Sequence, residues 1–335
     1  MRTTIIYFLI TFFSLCGTSQ ELYKFKKGTK EGFINKSGDV VISPIYDDVD
    51  DFSENLAKVK LGTKYGYVNT NGDVVIKLIY VRGTEFKEGL AAVKDENGWH
   101  YINPKGDKNY DESCNYAYSF HEGLARLQVG VKFGYINKSG EMVISPQFDK
   151  AYDFNEGLAR VEIGGKWGFI NLKGELEIKP QFDWVFDFSE GKADFRKGSE
   201  KDGKYGFINK KGEVVIQPNF DRVFAFHEGR ALFRIGSFRG GKYGYLDAEG
   251  EVVVEAVYDG GMNFCEGRAN VSLGIAKEAK WGYIDYDGKQ VIPLKYSRPS
   301  EFNNKLALVR IGDFKSGTEG YINKQGEFIW KSPNK

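Results

Sequence analysis

Apolar and polar residues alternate in short runs along almost the whole chain. In Leu158-Ala159-Arg160-Val161-Glu162-Ile163, the residues Ala159, Val161 and Ile163 share one face while Arg160 and Glu162 point the other way. A period of two predicts a half-buried β-strand, here called strand A. Gly164-Gly165 predicts a tight hairpin. Lys166–Asn171 then reads as strand B, with Trp167 and Phe169 on one face and Gly168 opposite, where the missing side chain lets a neighbouring strand or ring come close. An Asn or Asp followed three residues later by Gly, as in Asn35 and Gly38 or Asp285 and Gly288, predicts a turn closed by a left-handed residue. Strand C follows, as in Val214-Val215-Ile216, and a proline then interrupts pairing at Pro44, Pro146, Pro180, Pro218 and Pro293.

This unit recurs down the chain. The glycine of strand B falls at Gly32, Gly66, Gly134, Gly168, Gly206, Gly244, Gly282 and Gly320, with His100 in its place in the third copy. The spacing is 34 residues four times and then 38 four times, which marks a repeat architecture. The turn glycine is present in all nine copies. Copy three departs most, with a disrupted stretch over 107–118 where strand C is due. Nine three-stranded meanders are thus expected over residues 20–335, in a single domain. None would be stable alone, so neighbouring units must stack their aromatic faces.

Lys-Trp-Gly-Phe-Ile-Asn at 166–171, Lys-Tyr-Gly-Phe-Ile-Asn at 204–209 and Lys-Trp-Gly-Tyr-Ile-Asp at 280–285 resemble the bacterial WG-repeat (KWG) family. Val-Ile-x-Pro-x-Phe-Asp at 215–221 and Phe-x-Glu-Gly-Leu-Ala at 154–159 carry the same resemblance, which extends over about residues 21–330. It implies an all-β repeat protein, often exported, with no shared catalytic residues. Two arrangements remain open: a propeller-like ring or an open superhelical β-array. Glu31 and Glu319 replace the aromatic of the Trp-Gly pair in the first and last copies only, and read as solvated caps that favour the open array.

The N-terminus differs in kind. Arg2, the apolar run at 5–13 and the small residues Gly17-Thr18-Ser19 read as a secretory signal over residues 1–19, cleaved before Gln20. The rival reading is a lipid anchor at Cys16, against which the bulky Leu15 counts. No other apolar run reaches transmembrane length. A periplasmic, cell-surface or secreted location is therefore expected.

Composition narrows the function. Lys plus Arg number 47 and Asp plus Glu 46, so no basic field points to nucleic acid. The three cysteines, Cys16, Cys114 and Cys265, lie far apart in the array and predict neither a disulfide nor a metal site. His121 and His227 occupy one repeat position that elsewhere holds Ser, Lys, Asn or Cys, as expected of an exposed loop. Two carboxylate series recur: Glu54, Glu88, Glu122, Glu156, Glu190, Glu228 and Glu266, and Asp47, Asp111, Asp149, Asp183, Asp221 and Asp259. Repetition in nearly every unit makes acceptance of backbone N–H bonds their expected role, ahead of calcium or glycoside chemistry. The ring series Tyr65, Trp99, Phe133, Trp167, Tyr205, Tyr243 and Trp281 reads as core.

The four longer units carry longer A–B tips at 199–202, 237–240, 275–278 and 313–316. Phe238, Arg239, Phe314 and Lys315 on them are the candidate partner-binding residues. The expectation is a non-catalytic binding or scaffold protein for a protein or cell-envelope polymer, without cofactor or metal. The alternatives are a carbohydrate-active hydrolase using paired carboxylates, and a structural envelope spacer.

Overall fold

In the computed structural model the chain forms nine small antiparallel sheets arranged in a ring, a nine-bladed β-propeller. The structure describes residues 22–111, 114–313 and 316–332. The signal and Cys16 lie outside these, as do Phe314 and Lys315.

Strands A, B and C fall where alternation puts them. In blade 5 they are Leu158–Ile163, Lys166–Asn171 and Leu176–Phe182. The expected meander is incomplete, however, because the connector before strand A adds a strand of its own. Asp48–Val49, Arg82–Gly83, Lys150–Ala151, Trp184–Val185, Gly260–Gly261 and Arg298–Pro299 each pair with the following strand A, and in blades 4 and 7 the added strand lengthens to Tyr116–His121 and Arg222–His227. Among the described residues eight blades are therefore four-stranded and blade 1, Leu22–Lys27, Lys30–Asn35 and Val40–Tyr46, is three-stranded. Alternation over two residues is too short to announce a strand; the pairing is supplied by strand A's second edge. Strand C forms the outer edge, where Val74, Val75, Val214 and Val215 are exposed, so the short strands line the axis of the ring.

The glycine of strand B has a specific cause. Strand C bulges between its two pairings with strand B, as between Phe169↔Ile178 and Trp167↔Phe182. The bulged backbone crosses the glycine so closely that a Cβ on Gly168 would sit 2.4 Å from the Ile178 carbonyl oxygen and 2.7 Å from the Pro180 nitrogen. The proline accordingly sits inside strand C, at the bulge, rather than ending it. In blade 3 the outer strand is only Lys108–Asp111 and Asp111 pairs directly with His100, so the side chain is accommodated and buried there.

The core lies between blades. Phe169 and Ile178 of blade 5 pack on Val185, Phe188, Ala193, Phe195 and Ile208 of blade 6, and equivalent clusters follow round the ring. The turn glycine takes part: Gly174 lies against Ile144 of the blade before it, and Gly326 against Ile292. The same contact joins the ends, because Gly38 of blade 1 lies against the Trp330 ring of blade 9. Tyr23 and Ile34 pack with Leu306 and Tyr321 there, and the Tyr321 hydroxyl donates to the Lys24 carbonyl at 2.8 Å. The ring alternative thus holds, and the open-array reading of Glu31 and Glu319 does not. These residues flank the seam, where Glu31 pairs with Lys26 and Glu319 with Arg310.

Candidate functional site

The repeated polar residues form the frame. Each Glu of the series holds a left-handed φ of 51–53°; all but Glu266 accept from the backbone N–H of the next blade's Glu-Gly glycine, and Glu266 accepts from the Lys305 N–H at the same place in blade 9. Glu54 takes Gly89, Glu122 takes Gly157 and Glu190 takes Gly229, at 2.8–2.9 Å. The expected N–H acceptance is found, but between blades rather than within one. Lys138 adds to Glu88, Lys210 to Glu156 and Lys324 to Glu266. Burial pushes these three carboxyls up, but the ammonium and amide donors outweigh it and hold them below the usual range.

The Asp series clamps the opposite face. Asp47, Asp149, Asp183, Asp221 and Asp259 each accept from a strand B lysine of one blade and from the A–B tip glycine of the next. The lysine bond is the main reason their carboxyls sit below the ordinary range. Asp111 does not belong to this series. Asn115 fills the clamp position and accepts from Gly130 at 2.7 Å. A third set of ties comes from strand B tyrosines: Tyr67, Tyr101, Tyr135, Tyr245 and Tyr283 donate to connector carbonyls of the next blade. Residues repeated for these ties are not available for chemistry.

The remaining sequence candidates scatter. Phe238 is 81% exposed at its tip, with the Arg234 guanidinium 5.8 Å from its ring, and Arg239 beside it is exposed too. His121 stands 3.8 Å from Asp153, and His227 pairs through its backbone with Arg230. Cys114 and Cys265 are not joined to each other, and burial with the Glu301 carboxylate pushes the Cys265 thiol up to about 12. Among the described residues no group of His, Cys, Asp and Glu converges as a metal site. Of the ring series, Trp99 and Trp167 are buried, while Phe133, Tyr205, Tyr243 and Trp281 lie half-buried against the inter-blade clusters.

One feature is confined to part of the ring. The residue just after the first two of the inner strand is aromatic only in blades 4 to 7: Tyr118, Tyr152, Phe186 and Phe224, against Asp50, Thr84, Met262 and Ser300 elsewhere. All four rings are half-buried. Guanidinium groups lie between them. Arg126 sits 3.8 Å from the Tyr118 ring centre and 5.2 Å from Tyr152. Arg160 sits 3.6 Å from Tyr152 and 5.4 Å from Phe186. Arg222 sits 4.3 Å from Phe186 and 5.1 Å from Phe224. Trp184 stands at the middle, tilted against Trp167 at 5.0 Å and edge-on to Phe186 at 6.0 Å. The result is one alternating aromatic–arginine ladder across four blades, on the axial side of the ring.

Two of the three arginines are fixed. Arg126 and Arg160 donate to the Ala151 and Val185 carbonyls of the next blade and pair with Asp153 and Asp187. Burial pushes the Asp187 carboxyl up, against the pull of Arg160. In blade 6 the arginine's place holds Asp194, which is 1% exposed and whose Oδ2 has no hydrogen-bond partner. Burial raises its carboxyl to about 7, with Arg222 opposing. A fixed guanidinium between two rings presents cation–π stacking and spare N–H groups without further ordering cost. The sequence held the signal: aligned by repeat, Tyr-Ala-Tyr, Lys-Ala-Tyr, Trp-Val-Phe and Arg-Val-Phe stand apart from the other connectors.

A sequence profile described as "WG containing repeat" matches at residues 32–65, 65–99, 133–167, 167–200, 205–237, 243–274 and 281–313. The chain belongs to the WG-repeat family. No curated protein matches it. Among solved structures, one titled "Crystal structure of the eukaryotic initiation factor" superposes with a TM-score of 0.66 at 10% identity, over 93% of this chain and 96% of that one. The Porphyromonas gingivalis dipeptidyl peptidase 4 superposes with a TM-score of 0.51 at 11% identity, over 87% of this chain and 63% of that one. At such identities the WG-repeat ring shares a fold with them and nothing more. No helix among the described residues is long and apolar enough to cross a membrane.

Proposed function

We propose that this WG-repeat propeller is an exported, non-catalytic binding protein that seats a protein or cell-envelope polymer on the axial side of blades 4 to 7. The observation that carries the reading is the ladder. Trp, Tyr and Arg dominate binding hot spots, and here they interleave where the other blades carry Asp, Thr, Met or Ser. Half-buried rings also offer stacking faces to sugars. The tip residues Phe238 and Arg239 stand alone by comparison. Export rests on the sequence of residues 1–19, and its check is a mature N-terminus at Gln20 in protein recovered from the cell envelope.

The test is binding of envelope polysaccharides and envelope protein extracts to the wild-type protein and to Tyr152→Ala and Trp184→Ala variants that keep the wild-type melting profile. Loss of binding in both supports the reading; wild-type binding by both removes it. The second reading is the hydrolase, favoured by the raised carboxyl of Asp187 beside Trp184 and Phe186. Turnover of a polysaccharide that Asp187→Asn abolishes would put it first.

A further inference from the structure

Among the described residues the circle of inner strands is broken once. No described strand precedes Leu22–Lys27 in blade 1, and a slot lies there between Arg298–Pro299 of blade 9 and Asp48–Val49 of blade 2. A cavity of about 420 Å³ occupies it, lined among others by Lys24, Phe25, Lys26, Leu308 and Trp330. The other eight blades say what fits such a slot, because each fills it with an extended segment. In blade 5 that segment is Asp149-Lys150-Ala151-Tyr152. The Asp149 N–H donates to the Glu162 carbonyl at 3.0 Å, the Asp149 carboxylate takes the tip Gly164 N–H at 2.9 Å, and Ala151 is buried.

Blade 1 keeps the receiving half of this arrangement. By the shared register, Lys26 occupies the place of Glu162 and turns its backbone groups toward the slot. Gly28 holds the tip conformation, with φ of 65° against 63° at Gly62 and 58° at Gly164. Among the described residues no side chain accepts from its N–H, whereas Asp47, Asp149, Asp183, Asp221 and Asp259 serve the equivalent amides. Lys26 pairs with Glu31, Arg310 with Glu319 and Lys24 with Asp51 at the slot, and Asp48 and Arg298 also line it. Recognition there falls to backbone hydrogen bonds, one small buried side chain and one carboxylate.

We propose that this slot is a strand-addition site for a partner's extended segment of the pattern Asp-x-small aliphatic. Added as an inner strand, it would complete blade 1 by the bonds the other blades make in cis. This site lies apart from the ladder; that it is open rests on the removal of residues 1–19 proposed above.

The probe is a fluorescein-labelled peptide copying the blade 5 connector, Gln-Phe-Asp-Lys-Ala-Tyr-Asp, titrated by anisotropy into the protein recovered from an exporting host, its N-terminus read by mass spectrometry. Saturable binding is expected. N-methylation of the first Asp should weaken it at least tenfold by removing the bond to Lys26, and Trp184→Ala on the protein should leave it unchanged. A photo-crosslinker at the Ala position should label residues 24–26 or 308–310. No saturable binding, indifference to N-methylation, or labelling elsewhere would each overturn the proposal. Loss of binding only in chains that retain residues 14–19 would also overturn it, by assigning the slot to the protein's own leader.

Discussion

Blades 4 to 7 and the seam between blades 9 and 1 are built on one frame and differ in what fills the axial side. In blades 4 to 7 every connector contributes an aromatic ring, the strands A of blades 4 and 5 add Arg126 and Arg160, the blade 7 connector adds Arg222, and these form a continuous ladder. At the seam the Trp-Gly aromatic becomes Glu31 or Glu319, the described residues of blade 1 supply no inner strand, and paired charges border a cavity. The comparison teaches that repeat identity guarantees blades but not surfaces. Surface chemistry sits in the columns that inter-blade packing leaves unconstrained.

Perturbing the shared frame should erase the difference with the largest effect. Gly168→Ala near the ladder and Gly32→Ala at the seam both place a Cβ within 2.4 Å of a backbone oxygen. Each should cost about 3 kcal/mol or more and lower the melting temperature sharply in calorimetry. Equal losses are expected; a tolerated Gly32→Ala would mean blade 1 is not bulged like the others. Next in size, Trp184→Ala should weaken partner binding by about 2 kcal/mol, some thirtyfold, while a seam change such as Glu319→Gln leaves that binding alone.

Asp194 sharpens the contrast through pH. Its carboxyl titrates at about 7 when folded, above its unfolded value near 3.8. The unfolded chain therefore loses the proton first, and the residue lowers stability progressively from about pH 4 to pH 7. Asp194→Asn removes this burden, so it should raise stability at pH 8 by up to a few kcal/mol, read as a higher melting temperature, and have little effect at pH 4. A gain that did not depend on pH would refute the assignment. The clamp aspartates act in the opposite sense, since their lowered values give stability that is present at neutral pH and lost on acidification.

Smaller effects test closure. Tyr321→Phe removes the hydroxyl bond to Lys24 across the seam and Tyr135→Phe removes its counterpart to Tyr152 within the array. Both should cost about 1 kcal/mol in denaturant unfolding. If the seam were open, Tyr321→Phe would cost nothing. Phe238→Ala should change neither stability, beyond about 0.5 kcal/mol, nor binding, because its ring is 81% exposed and touches only Arg234.

Much of this was legible in the chain. Period-two runs, the turn glycines and the 34- or 38-residue spacing determined the strands A, B and C, their register and the count of nine. They did so because a strand's side-chain alternation and a left-handed turn are local requirements, each written in a few adjacent residues. The carboxylates' structural role was legible for the same reason, although their partners were not. What only the tertiary structure decided was the inner strand, the inter-blade bonds and closure. A two-residue strand has no period to detect. A carboxylate's amide 35 residues away, or a tyrosine's carbonyl 297 residues away, becomes its neighbour only once the blades stack. Closure depends on the angle between blades summed over the whole ring, a quantity carried by packing between units and by no single unit's sequence.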